Sequence, residues 1–578
     1  MPGDKSELDD ITSFSQKDIT ENVVQKLLQG FHLPKDVHVT SSMWQDSELK
    51  PWVDCSLQTT CGKDIAWHIL QHPTANPQLL HQRQCALKYI QKSGSNIQQI
   101  VSQFHAVEND IHWLMTRAPI SESTSLQLLY PSFFALRFIN HLPYLLAALH
   151  IYKGYVSPCT NILTPLSTIF APYMYLRKSM GSSLSMKNYL KLVATLLSKW
   201  VKPTGNLRTD AMRFGTLGLY LGMFAVGIVQ SIELASSVRK LRKLILQKSK
   251  SIQNFVATNF LQLQQIPGYV WESYGIKEDN SIFLSIEKLP SGATLVYKFL
   301  SDSQTQHGFM SLLRRIYILD MLESLSRSTN TGIASYATFL PPTSPLSTRF
   351  YHMGHIQLPL NQVRNPCSLQ KNLIITGPNA GGKTTYVKSI CSNYLLAQTF
   401  GITISQHSLI QLQHAFGSFM RIHDEVGNKS LFEAEVSRCA EIIAHAEYVS
   451  KSGRKATYFL DEPMHSTPPA EGASASIATV EYLGKLSGIR VITTTHFFQL
   501  TGLEKEHPQL FQNISMEAIP RKEDTNDTFK FPYRIRKGPS YQCIALELLK
   551  QSDIPQELVS CAIKWKNKIC AMHVINDP

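Results

Sequence analysis

The chain has 578 residues, 43% of them hydrophobic and 17% charged. It is long enough for about three to four domains, and too apolar and too weakly charged for a disordered chain. Lys plus Arg number 56 against 43 Asp plus Glu, a net charge of +13 that points to a polyanionic partner, nucleic acid or an anionic membrane. The ten cysteines form no Cys-x-x-Cys and no Cys/His quartet of zinc spacing, so reduced thiols of an intracellular protein are expected. The polar start MPGDKSELDD lacks a signal-peptide or transit pattern and predicts a nuclear or cytoplasmic location.

Residues 1–45 read as a polar lead-in. From about 50 to 150, Ile65, Ile69 and Leu70, then Leu87, Ile90, Ile97 and Ile100, recur at helical spacing, with Pro73 and Pro77 punctuating the first two helices. Residues 154–176 carry no charge, and Pro158, Pro165 and Pro172 argue against one straight helix. Residues 214–232 (FGTLGLYLGMFAVGIVQSI) are also uncharged and include the small-xxx-small pair Gly218 and Gly222. The expected reading is a buried central helix of an all-α domain. The alternative is a membrane span, which needs about 20 residues. In 239–250 (RKLRKLILQKSK) six basic residues flank the apolar stripe Val238, Leu241, Leu244 and Ile245. This is either a core-packed helix with a solvated basic face, or a phosphate contact through Arg239, Lys240, Arg242 and Lys243. The Ser/Thr/Pro-rich stretch 330–350 predicts a domain boundary between a helical region, 46–330, and an α/β region, 331–578.

The chemistry concentrates in that second region. Asn372–Thr376 is an apolar strand, followed by Gly377-Pro378-Asn379-Ala380-Gly381-Gly382-Lys383-Thr384-Thr385 and a helix over 385–396. This satisfies G-x-x-x-x-G-K-[ST] in its strand–loop–helix context, a cradle for ATP phosphates. Glycines let backbone N–H groups face the phosphates, Lys383 reaches the β and γ phosphates, and the Thr384 hydroxyl is a ligand for Mg²⁺. A second strand, 456–460, delivers Asp461 as the other Mg²⁺ residue and Glu462 to polarise the attacking water. A third, 488–495, ends at His496, placed to sense a γ-phosphate.

These segments together resemble the MutS family. T-G-P-N-A-G-G-K-T-T is similar to its Walker A, with Ala380 where many members carry Met. Arg421 to Asp424 and Gly427 to Glu435 resemble its R-x-x-D…G-x-S-x-F-x-x-E stretch. Asp461 to Gly472 resembles its Walker B and following loop, with Ser466 in place of the usual Gly. Thr495-His496 resembles its switch histidine. Asn513–Met516 and 533–546 resemble its last strands and C-terminal helix–turn–helix. More weakly, Thr59-Thr-Cys-Gly62, Pro73, Arg83 and 318–324 resemble its lever region, for a total of roughly 50–110 and 311–567.

The resemblance implies an α-helical core/lever region followed by an α/β P-loop NTPase domain of ABC type. It implies a dimer, homo- or heteromeric, in which Ser430 reaches the nucleotide of the opposite subunit. The implied activity is ATP hydrolysis coupled to binding of duplex or branched DNA, in mismatch repair or recombination-type maintenance. No Phe-x-Glu occurs, and only about 45 residues precede the lever-like part, so no mismatch-reading wedge is expected. The other reading is a membrane-associated ABC-type ATPase with hydrophobic helices near 154–176 and 214–232.

Overall fold

The structure, a computed structural model, describes residues 16–116, 123–179, 185–203, 205–277, 290–359, 361–420, 431–466, 468–520, 529–540, 555 and 557–565. The chain divides into two compact units. One comprises residues 1–23, 106–264 and 279–312, the other 24–105, 265–278 and 313–578.

The first unit is helical. Its chief elements are α1 (Ser157–Ser179), α2 (Met186–Val201) and α3 (Leu207–Gln264). Pro158 opens α1 but follows the helical turns of Tyr152–Val156 without a break, so it too sits inside a helical run. Pro165 and Pro172 lie inside α1, and the residues whose prolines argued against one straight helix are helical throughout, with a wider turn at Tyr152–Val156. Each proline removes one backbone hydrogen bond from a helix that continues on both sides.

Helix α3 runs for 58 residues, about 87 Å at 1.5 Å per residue, and has two halves of different character. From Ala235 to Leu263 a stripe is buried at helical spacing: Val238, Leu241, Ile245, Ile252, Phe255. The core-packed reading of this stripe holds. Lys240 and Lys243 are exposed. The Arg239 guanidinium instead donates to the Gly154 carbonyl at 2.7 Å and lies 5.5 Å from the centre of the Tyr155 ring. In the other half the buried-core expectation for 214–232 is overturned: Leu219, Tyr220 and Met223 are each at least two-thirds exposed, and no residue from 214 to 232 is buried. An uncharged run apolar on every face reads alike whether protein or another apolar medium surrounds it.

The second unit is built on a seven-stranded sheet. Its strands are β1 (His38–Val39), β2 (Asn372–Thr376), β3 (Ala415–Phe419), β4 (Ala456–Asp461), β5 (Ile489–Thr494), β6 (Phe511–Met516) and β7 (Ile535–Lys537). Their order is β1-β3-β4-β5-β2-β6-β7, parallel throughout except for β7 against β6. The segment expected as a polar lead-in thus supplies an edge strand, and Leu27 is fully buried, because its few apolar residues fall where the unit needs them. Buried on both faces, β2 and β4 are near-continuous apolar runs, as a covered parallel sheet requires. Helices α4 (Lys383–Phe400), α5 (Leu431–Lys451) and α6 (Pro469–Lys485) pack on this sheet.

Two lever-like segments meet here. The Thr59 N–H and hydroxyl donate to Asp320 Oδ2 at 2.9 and 2.6 Å, and the Gln58 N–H donates to Oδ1 at 3.3 Å. Arg83, fully buried, donates to the carbonyls of Ser273 (2.9 Å) and Thr399 (2.6 Å) and stacks over Tyr274.

Candidate nucleotide site

The loop after β2 folds around its glycines. Gly377 has φ +142°, and a Cβ there would stand 3.0 Å from the Met516 Cβ; Gly382 has φ +93°, a region L side chains rarely adopt. Ala380, at φ +63°, is also left-handed. Gly382 starts α4, so the N–H groups of its first turn face the loop. Lys383 is buried, its ammonium donating to the Gly377 carbonyl at 3.0 Å.

Strand pairing brings the acids to this loop. In register, Asp461 at the end of β4 faces Thr494 at the end of β5, and Thr494 in turn faces Ile375 of β2. All three strands therefore end at one edge, the usual ligand edge of an open parallel sheet. The Thr384 hydroxyl donates to Asp461 Oδ2 at 2.9 Å, and the Thr494 hydroxyl donates to Oδ1. Glu462 stands one residue beyond the strand at φ +53°, its N–H bonded to the Thr494 carbonyl and hydroxyl. Its Oε1 is 2.6 Å from His496 Nε2 and 3.6 Å from the Lys383 ammonium. His496 Nε2 is also 3.3 Å from that ammonium.

Burial pushes the Lys383 ammonium below the usual lysine range, against the opposing pull of Glu462 and Asp461. Burial works to raise the Glu462 carboxyl. The hydrogen bond and charge of His496, with the Lys383 ammonium, outweigh it and hold Glu462 below the ordinary glutamate range. Glu462 is therefore an ionised acceptor, held between the imidazole of His496 and the ammonium of Lys383.

A cavity of about 690 Å³ opens over the loop. Pro378, Asn379, Ala380, Gly382, Lys383, Thr384, Thr385 and Glu462 line it. Its remaining wall includes Met353, Leu358, Val363, Met516 and Tyr533, an apolar surface suited to a flat heterocycle. Asn365 ties that wall together: its side-chain NH₂ donates to the Tyr533 carbonyl at 2.8 Å, and its Oδ1 accepts the Ile535 N–H at 3.1 Å. Sequence reasoning missed this wall and the Thr494 contact. The only signals were a second threonine before His496 and an aromatic in the final strand segment.

Every residue expected at the phosphate loop, with Asp461, Glu462 and His496, meets at this edge. Ser430 lies outside the described residues, as do 421–430 as a whole and most of the expected helix–turn–helix. Beyond the loop, buried Glu435 accepts from the Ser466 hydroxyl at 2.6 Å and approaches His465 Nδ1 at 2.8 Å. The residue replacing the family's glycine thus holds the loop after Asp461 to α5.

Residues 373–570 match the family model of MutS domain V. The DNA mismatch repair proteins MutS of Listeria monocytogenes (strain EGD-e) and Listeria welshimeri are each 26% identical over 204 residues, 35% of this chain and 22% of their own length. The match thus spans about a fifth of these curated relatives and falls on the unit that holds the site. Over residues 373–570 the chain is similar to domain V of the MutS family.

Proposed function

We propose that the chain is a MutS-type motor that binds and hydrolyses Mg-ATP and couples turnover to closure of a dimer on DNA, in mismatch-repair or recombination-type maintenance. The observation that carries the reading is the Thr384 hydroxyl 2.9 Å from the Asp461 carboxylate, beside a buried lysine and an ionised glutamate. A hydroxyl and a carboxylate are the hard oxygen donors that magnesium takes. The loop glycines, where a Cβ would collide or strain, leave room for phosphate oxygens. When bound, Mg²⁺ would neutralise charge on the phosphates.

The chain's own residues do the rest. Lys383 binds the transferred phosphate as a point charge. Glu462 accepts a hydrogen bond from the attacking water at its carboxylate, and His496 holds that carboxylate in place. Ser430 reaches the opposing subunit's nucleotide, which makes the dimer part of the site. The named relatives and the net charge of +13 support DNA as partner. Use of ATP and of reduced cysteines favours an intracellular motor, nuclear or cytoplasmic.

The test is ATPase activity with and without duplex, mismatched and branched DNA. Turnover that needs Mg²⁺ and rises severalfold with DNA is expected. Turnover indifferent to every DNA would remove the partner, and no turnover would remove the reaction. In the mixing test, Ser430→Arg protein combined with Lys383→Ala protein should regain activity that neither has alone. No recovery between exchanging dimers would remove the shared site.

A further inference from the structure

The first unit carries a feature the nucleotide reading does not use. Large apolar side chains stand in solvent along most of 133–234, among them Phe134 at 92% and Tyr144 at 91% exposed. They continue through Tyr175 on α1 and through Leu219, Tyr220 and Met223 on α3. Soluble monomers do not leave a patch of this extent uncovered.

The geometry is that of a hairpin. Gly154, just before α1, accepts from Arg239 of α3 at 2.7 Å, and the Asn161 side-chain NH₂ donates to the Ser231 hydroxyl at 2.8 Å. Advancing from 154 to 161 on one strand of the hairpin moves back from 239 to 231 on the other, so α1 and α3 run antiparallel. Continued, this register sets the charge-free stretch of α1 beside that of α3, with Arg177 and Lys178 near the level of Arg213. The shared stretch on α3, 214–232, is 19 residues, about 28 Å of helix against a hydrocarbon core of about 30 Å. Its most apolar window has no buried residue. Inside it, Asn161 and Ser231 satisfy each other, as polar groups in hydrocarbon must. The interior prolines of α1 are ordinary in such helices and unusual in soluble ones.

Charge marks the rims. Between residues 177 and 213 lie eight Lys and Arg and one acid, Asp210. Within that connector, α2 carries the exposed Leu190, Leu192 and Leu196 interspersed with Lys187, Lys191 and Lys199. Lys153, Arg239, Lys240 and Lys243 stand at the other end. Tyr152 and Tyr155, each about half exposed, stand at that second rim as in an interfacial aromatic belt.

We propose that α1 and α3 form a helical hairpin inserted in an anionic lipid bilayer, with residues 157–176 and 214–232 in the hydrocarbon and the basic rims on acidic headgroups. This does not depend on the nucleotide reading. The test expresses the full chain and extracts its membranes with high salt, carbonate and detergent. The purified protein is then reconstituted into vesicles of phosphatidylcholine with and without phosphatidylglycerol. The wild type should pellet through salt and carbonate, leave only in detergent, and enter anionic vesicles more efficiently than neutral ones. Leu219→Glu with Met223→Glu, two exposed positions, should lower the carbonate-resistant fraction by about tenfold or more while leaving binding of a fluorescent ATP analogue unchanged. Release by salt alone would mean surface adsorption and overturn insertion. A detergent-free soluble oligomer of the wild type would show that a second copy or another protein covers the face, and would also overturn it.

Discussion

Glu462 and His496 meet at 2.6 Å across the ends of two neighbouring strands. Because Asp461 and Thr494 are paired in register, the next residues of β4 and β5 must pass close to one another. The hydrogen bond is therefore a product of sheet register, and the chemistry assigned to Glu462 rests on it.

Glu462→Gln keeps the shape and the contact to His496 but removes the acceptor charge. Loss of a positioned base lowers turnover by roughly 10²- to 10⁴-fold. Rapid-quench ATPase measurements should show that loss while nucleotide affinity stays within a few-fold. Turnover near wild type would take Glu462 out of its role.

His496→Ala should change the pH dependence. In the wild type the Glu462 carboxyl is held below its ordinary value of 4.5. Without His496 the raising effect of burial faces only Lys383, so the pKa climbs. The base works only when ionised, so the acid limb of the kcat profile should move to higher pH. The sign for stability follows: the wild-type contact stabilises the fold above about pH 4.5 and is lost as pH falls through the lower folded value. An unshifted acid limb in the variant would show that His496 does not tune this carboxyl.

Lys383→Ala deletes the buried ammonium at the phosphate loop. A hydrogen bond to a charged group contributes about 1.5–3 kcal/mol, so affinity for an ATP analogue should fall roughly 10- to 150-fold. Equal affinity by titration would mean that the loop does not hold phosphates.

Asp320→Ala leaves the buried Thr59 N–H and hydroxyl without their acceptor. At about 1–3 kcal/mol per unsatisfied group, urea unfolding in detergent should show about 2–6 kcal/mol lost. Thr59→Val, which removes only the hydroxyl bond, should cost less. If the Asp320→Ala midpoint is unchanged, the joint between the two lever-like segments is not a stabilising one.

The phosphate loop was legible in the sequence because its chemistry is local. Gly377, Gly382, Lys383 and Thr384 lie within eight residues, directly after a five-residue strand centred on the apolar run Leu373–Ile375. Asp461 and Glu462 were legible because a buried parallel strand must read as an uninterrupted apolar run, and the acids end it. Thr494 and the wall at Met353, Val363 and Tyr533 were not. They come from four separate segments, joined only by register and by the Asn365 bonds. Residues 214–232 failed for a different reason: hydrophobicity measures exclusion from water and carries no mark of what replaces the water.

Helix α3 passes from its exposed half to its buried half without a break near Glu233. It is a single rod about 87 Å long, so a tilt of five degrees at one end displaces the other by about 7–8 Å. Once the first half is inserted, a thinner or thicker bilayer is met by tilting, and the buried stripe from Val238 to Leu263 must turn with it. The thickness of the lipid then becomes a mechanical input to the packing of the protein.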